Sequence, residues 1–154
     1  MPTAFEALAR IPNACQLLPN LVTGGQPSTA DLEAFRDAGG GIVLDLRDPM
    51  EPRPLDEAET ARRLGLEYVV VPVSGGTMSD TTLERIHEVL RESGDKQVFV
   101  HCASGSRVGG ALLPYLILDR GLEEEDAVTQ AMRVGLRSAE LMEWGLDYAR
   151  RKSI

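Results

Sequence analysis

Four short apolar runs, separated by stretches with helical spacing, constrain this chain more than any other feature of it. They are Leu21 to Thr23, Ile42 to Leu46, Tyr68 to Val73 and Gln97 to Val100, each of strand length and rich in β-branched or aliphatic residues. Strands that alternate with helices are joined by crossovers rather than hairpins, and crossovers leave neighbouring strands parallel with helices packed on the sheet. The pattern predicts an α/β layer fold with a largely parallel sheet. At 154 residues the chain is expected to form a single domain, 1–154, and it shows no repeat and no low-complexity linker.

Breakers and caps place the helices. Gly24-Gly25-Gln26-Pro27 closes the first strand, and Ser28 caps a helix running to about Ala38, where Gly39-Gly40-Gly41 ends it. A polar, proline-containing loop from Arg47 to Pro54 precedes a helix over Leu55 to Leu64. After Ser74-Gly75-Gly76, a helix starts near Ser79, buries Leu83, Ile86, Val89 and Leu90, and stops at Gly94. The last strand leads through a short loop into a helical stretch ending at Leu118, with a kink expected at Pro114. Amphipathic segments over Glu123 to Val134 and Ser138 to Arg151 complete the chain.

Composition removes several classes of function. Lys and Arg number 16 against 24 Asp and Glu, a formal charge of −8, which argues against broad binding to nucleic acid or anionic membranes. No apolar run approaches the roughly 18 to 20 residues that span a bilayer. Glu6 and Arg10 interrupt the start, which therefore does not read as a secretory signal; a cytoplasmic protein is expected. Cys15 and Cys102 stand far apart, and His87 and His101 are isolated, so neither a disulfide framework, a metal site nor a cofactor is expected.

Chemistry concentrates in His101-Cys102-Ala103-Ser104-Gly105-Ser106-Arg107, between the last strand and the following helix. Unpaired backbone N–H groups and the helix dipole attract an anion there, and the same field favours a thiolate, the nucleophilic form of cysteine. Ala103, Ser104, Gly105 and Ser106 are small enough for the backbone to curl around a tetrahedral oxyanion. Arg107 can hold two of its oxygens in one planar fork. Cys102 and Arg107 are thus the candidate catalytic pair, and Ala103, Ser104, Gly105, Ser106 and His101 the candidate substrate-binding residues. The expected partner is a small anionic substrate or a phosphorylated residue.

This loop resembles the phosphate-binding loop of cysteine-dependent phosphatases of the tyrosine and dual-specificity type. Four residues separate Cys102 from Arg107 where those enzymes have five, a spacing shared with rhodanese-type sulfurtransferases. Together with Gly25-Gln26-Pro27-Ser28, Val43-Leu44-Asp45-Leu46-Arg47 and Tyr68-Val69-Val70-Val71-Pro72-Val73, the loop is similar to the bacterial phosphatase-like domain found alone or fused to metallo-β-lactamase-like sulfur-metabolism proteins. The resemblance covers roughly Leu17 to Leu118. It implies a dual-specificity-phosphatase-like fold, three layers with a mainly parallel central sheet, and hydrolysis of a phosphomonoester through a Cys102 thiolate and an Arg107 oxyanion clamp.

Two departures bear on chemistry. Such phosphatases carry an aspartate that protonates the leaving oxygen, yet the corresponding loop here, Val73-Ser74-Gly75-Gly76, has no acid. Asp80 follows a few residues later but suits the first turn of a helix equally well, Asp48 and Glu51 lie in another strand-end loop, and Asp48 is the first choice for that role. Val108 follows the arginine where a Ser or Thr is common; Ser104 or Ser106 could supply the hydroxyl. A sulfurtransferase or persulfide-handling activity is the alternative, since no alkoxide leaves when the product is sulfite or a thiol. An anion-binding module of weak activity is the third reading. Elsewhere, Arg47 is expected to pair with a neighbouring carboxylate, Gln26 to serve a turn, and Cys15 to act as a small hydrophobe.

Overall fold

The computed structural model describes residues 2–52 and 55–153. Arg53 and Pro54, the end of the expected Arg47 to Pro54 loop, lie outside the described residues. The chain order is α1 (Ala4–Leu8), β1 (Cys15–Leu18), β2 (Leu21–Gly24), α2 (Thr29–Asp37), β3 (Gly40–Asp45), α3 (Glu57–Leu64), β4 (Glu67–Val70), α4 (Asp80–Glu92), β5 (Gln97–His101), α5 (Ser106–Leu118), α6 (Glu124–Val134) and α7 (Ala139–Lys152). The strands lie side by side as β1-β2-β5-β3-β4, with every pair parallel except β1 and β2. The strand that comes last in sequence is therefore central, and the α/β expectation holds.

Period-2 alternation along the strands divides the core. Ile42 and Leu44 of β3 and Val98 and Val100 of β5 pack under α4 to α7, while Val43 and Phe99 face α1, α2 and α3. Continuing the second row by two residues brings Asp45 and His101 to the end of the sheet on the α1–α3 side. Cys102, one residue on, falls into the other cluster. The strand register thus decides that the cysteine and its preceding histidine point to opposite faces.

Local signals hold most elements where the pattern places them. The Ser28 hydroxyl accepts from Asp31 N while the Asp31 carboxylate accepts from Ser28 N, closing both ends of a capping box on α2. Gly39 turns left-handed at φ +97° to end that helix. Gly40 instead opens β3, because the Phe35 ring lies 2.5 Å from where its Cβ would stand and only glycine fits beneath it. The ladder of β4 ends at Val70, short of the expected Val73; Val71 N and Val73 N still donate to Asp45 O and Leu46 O, but Pro72 between them has no N–H.

Two elements were not expected: α1, held by a Thr3–Glu6 capping box, and β1, whose pairing with β2 is irregular between Gln16 and Leu18. Both are about one turn or four residues long, too short for periodicity to register. The kink expected in α5 does not end it: the helix continues through Pro114 to Leu118. The Gly110 carbonyl, which a proline at 114 cannot bond, lies 2.6 Å from the place of a Cβ on Gly145, so α7 crosses where only a glycine lets it approach. Buried from Val108 to Leu116, α5 is the axis around which α6 and α7 pack.

Candidate active site

Three parallel strands end together at the site. Cys102 N donates to Gly24 O at the end of β2, and Leu46 N beyond β3 donates to His101 O. The chain then turns through Ala103 and Ser104, both exposed, to Gly105, the N-cap of α5, at φ +104°. A side chain at 105 would be strained by that φ and would place a Cβ 2.6 Å from Val134 O. Gly105 N in turn donates to Cys102 Sγ at 3.0 Å. The buried sulfur thus sits against a backbone donor at the start of a thirteen-residue helix, an arrangement that stabilises negative charge.

The loop is braced from both sides. Gln26 N donates to Ala103 O at 3.1 Å, and Gly25 has no room for a Cβ, which would come within 2.5 Å of the same oxygen. Asn13, itself in the left-handed region at φ 58°, donates from Nδ2 to Ser104 O at 2.5 Å. Ser106 Oγ accepts from Arg137 N, tying the first turn of α5 to the α6–α7 connection. The backbone at Gln26 is thus a wall of the cysteine loop. The contacts of Asn13 and Arg137 carried no sequence signal, because each joins segments more than thirty residues apart.

Arg107 comes from the first turn of α5, and its fork is engaged by Glu51: Nη1 to Oε2 at 2.5 Å and Nη2 to Oε1 at 2.8 Å, with Val73 O at 3.4 Å from Nη1. The Glu51 hydrogen bonds push the Arg107 pKa up, burial opposes this, and the nearby Cys102 adds to the rise. Reciprocally, the Arg107 hydrogen bonds hold the Glu51 carboxyl below its ordinary 4.5 against a smaller opposing effect of burial, with the Asp48 amide assisting. Asp48 stands half-buried in the same loop; its Oδ1 accepts from Met50 N and its N donates to Glu51 Oε2. Of the three carboxylates weighed in the sequence, Glu51 is the one in contact with Arg107, while Asp80 pairs with Arg151.

His101 lies behind the loop. Fully buried, it places Nε2 2.5 Å from Glu57 Oε2 and Nδ1 3.2 Å from the Cys102 carbonyl oxygen. It orients the loop from beneath, with no exposed surface to offer a substrate. Around it stand Asp45, Arg47 and Glu57, all buried: Arg47 Nε and Nη2 donate to Asp45, Nη2 also to Glu57 Oε1, and the Tyr68 hydroxyl to Asp45 Oδ2. Burial alone would raise the Asp45 pKa, but the Arg47 hydrogen bonds, His101 and the Tyr68 hydroxyl outweigh it and hold the carboxyl far below its usual range. Arg47 pairs with carboxylates, as expected, and contributes no charge to the open side of the loop.

Asp45, Glu57 and His101 bring one ligand atom each within 4.8 Å of one another. Arg47 already bonds both carboxylates, and His101 Nε2 lies against Glu57 Oε2, so the three groups are engaged with one another and with the guanidinium. The chemistry of this donor set is that of an ion-paired network and not of an open cation site.

No family model matches the chain. It is 28% identical over 120 residues to the β-lactamase hydrolase-like protein of Agrobacterium fabrum, covering 73% of this chain and 27% of that one. Against the β-lactamase hydrolase-like protein of Xylella fastidiosa the identity is 32% over 101 residues, 63% of this chain and 22% of the relative. The chain thus spans about a quarter of the length of the curated relatives it matches. Among solved structures, a DUF442 protein of Shewanella putrefaciens superposes with a TM-score of 0.80 at 19% identity over 96% of this chain and 97% of that one. Tk-PTP in its active form gives 0.78 at 22% identity over 91% and 98%, and P. aeruginosa TpbA in complex with pTyr gives 0.70 at 15% over 90% and 83%. The fold is that of the tyrosine and dual-specificity phosphatases. Among the described residues no helix is long and apolar enough to cross a membrane.

Proposed function

We propose that the chain is a cysteine-dependent hydrolase of phosphomonoesters. The observation that carries this reading is the Cys102 sulfur at the carboxyl end of the central strand, 3.0 Å from Gly105 N, with Arg107 on the helix that begins beside it. The Cys102 thiolate attacks phosphorus, an S–P bond forms as the ester P–O bond breaks, and the ester oxygen leaves. Loop amides and Arg107 hold the charge on the equatorial oxygens, and water then cleaves the S–P bond to release phosphate. The fold shared with Tk-PTP and TpbA supports the same reading.

Glu51 holds Arg107 in line, and both of its carboxylate oxygens are taken up by the guanidinium rather than offered to a leaving group. The proton donor is assigned to Asp48 by its position in the same loop. Esters with good leaving groups are then turned over without it. Purified protein is expected to hydrolyse 4-nitrophenyl phosphate, and Cys102→Ser to abolish turnover. Asp48→Asn should slow alkyl phosphates by about 10²-fold or more while sparing the nitrophenyl ester. Equal inactivity of wild type and Cys102→Ser on aryl phosphates and phosphopeptides overturns the proposal.

Two observations favour a second reading, sulfur transfer through a Cys102 persulfide: four residues, not five, separate Cys102 and Arg107, and the carboxylate at the arginine is tied up as its partner. Thiosulfate with a thiol acceptor separates the two. Mass spectrometry showing one added sulfur on Cys102 supports transfer, and an unmodified thiol without turnover removes it.

A further inference from the structure

Beside the cysteine loop, on the α1–α3 side, opens a cavity of ≈480 Å³ lined by Arg10, Ile11, Pro12, Gln26, Pro27, Ser28, Thr29, Asp31 and Leu55. Its inner wall belongs to the site already described: Gln26 N bonds Ala103 O, and Gly25 N bonds Pro12 O. Leu55 closes it from the end of the segment that also carries Glu51. The walls are largely apolar, from Ile11, Pro12, Pro27 and Leu55. The cation on the rim is Arg10.

Arg10 differs from most arginines of this acidic chain. Arg36, Arg62, Arg91, Arg150 and Arg151 are each held by a carboxylate, whereas Arg10 makes no hydrogen bond or ion pair among the described residues. The acid in the lining, Asp31, is committed to the cap of α2 through Ser28 N. Gln26 Nε2 is likewise committed, to Pro27 O. The cavity therefore offers an apolar body and one guanidinium that no carboxylate of the described residues pairs, with the Asp31 carboxylate elsewhere in the lining, next to a loop suited to a phosphoryl group. In a chain of charge −8, Arg10 is the cationic side chain of this lining.

We infer that this cavity is the leaving-group subsite, and that it selects small phosphoesters whose apolar body carries a second anionic group, a carboxylate, at the end remote from phosphorus. The inference rests on the phosphatase reading of Cys102 and Arg107. It adds that one anion is held in the loop, an apolar or aromatic body lies against Pro12, Pro27, Ile11 and Leu55, and the carboxylate meets Arg10. The volume falls within the roughly 300–1,000 Å³ of small-molecule sites.

Non-hydrolysable probes test this without relying on turnover. Calorimetric titration of wild-type protein at low salt with benzylphosphonate and with 4-carboxybenzylphosphonate is expected to show about tenfold tighter binding of the carboxylated probe. Arg10→Gln should bring the two affinities together, and Arg85→Gln, which removes the same charge from α4 on the other face of the sheet, should leave the ratio as it is. Raising the salt to 0.5 M should shrink the preference, because the guanidinium is exposed. Equal affinity of the two probes for wild type, or a preference that survives Arg10→Gln, overturns the subsite while the phosphatase reading stands. If neither probe nor inorganic phosphate binds, the phosphatase reading fails and the subsite with it.

Discussion

Glu57→Ala tests the buried charge network beneath the loop most directly. Glu57 is 1% exposed and serves two donors, Arg47 Nη2 at 2.9 Å and His101 Nε2 at 2.5 Å. Without it, Arg47 keeps only Asp45, its Nη1 being already without a hydrogen-bond partner among the described residues, and His101 Nε2 has Asp45 Oδ1 no nearer than 3.9 Å. Breaking a buried ion pair from one side costs about 3–5 kcal/mol, because the remaining charge stays desolvated. For a chain of 154 residues this corresponds to a fall in Tm of roughly 6–20 °C. Glu57→Gln keeps the volume and one acceptor oxygen, so it should cost less, about 1.5–3 kcal/mol.

The assay is thermal or urea unfolding of wild type and both variants at pH 7. Asp45→Asn, measured alongside, has a defined pH signature. The carboxyl of Asp45 is held below its ordinary 3.8 in the folded protein, so its contribution is complete above that value, where both states are ionised. As the pH falls below about 3.8 the unfolded chain takes up the proton first, and the difference between wild type and Asp45→Asn should narrow. A Glu57→Ala protein that melts within 2 °C of wild type would falsify the view that these charges are buried, mutually dependent and structural.

Three other outcomes follow from the same geometry. Gly105→Ala forces a side chain into φ +104° and against Val134 O, and should cost about 2 kcal/mol or more while lowering activity by displacing the amide that faces Cys102 Sγ; unchanged melting and turnover would contradict the loop described. Glu51→Gln releases the Arg107 fork from a carboxylate, and inorganic phosphate should then inhibit several-fold more tightly, read as an inhibition constant at pH 7. His87 is fully buried between α4 and α5, with Nε2 3.0 Å from Ala111 O, and burial lowers its pKa below 6.5. Because the unfolded chain binds the proton more readily, stability should decline as the pH drops from about 6.5 toward 5, and His87→Leu should flatten that slope in denaturant titrations.

Much of the site was legible as text. Cys102 and Arg107 follow from a small-residue loop between a strand and a helix, which is local, and the alternation of runs such as Tyr68 to Val73 with capped helices is enough to call for a parallel sheet. Ser28 before α2 and Ser79 before α4 work as caps because a cap needs only its own next three residues. That Glu51 pairs with Arg107 was not legible: Asp48 and Glu51 are carboxylates of one turn, and which one reaches Arg107 depends on how the loop after β3 lies over α5.

By itself, then, the order of residues determined the alternating strands and helices, the acidic surface, and one loop able to hold an anion beside a thiol. Tertiary structure decided what that loop rests on. The register of β3 against β5 turns Asp45 and His101 to one side and Cys102 to the other, and α3 delivers Glu57 from 44 residues away to complete the charges behind the nucleophile. Hydrogen bonds and ion pairs of this kind depend on distances of about 3 Å between groups remote in sequence, and only packing sets such distances.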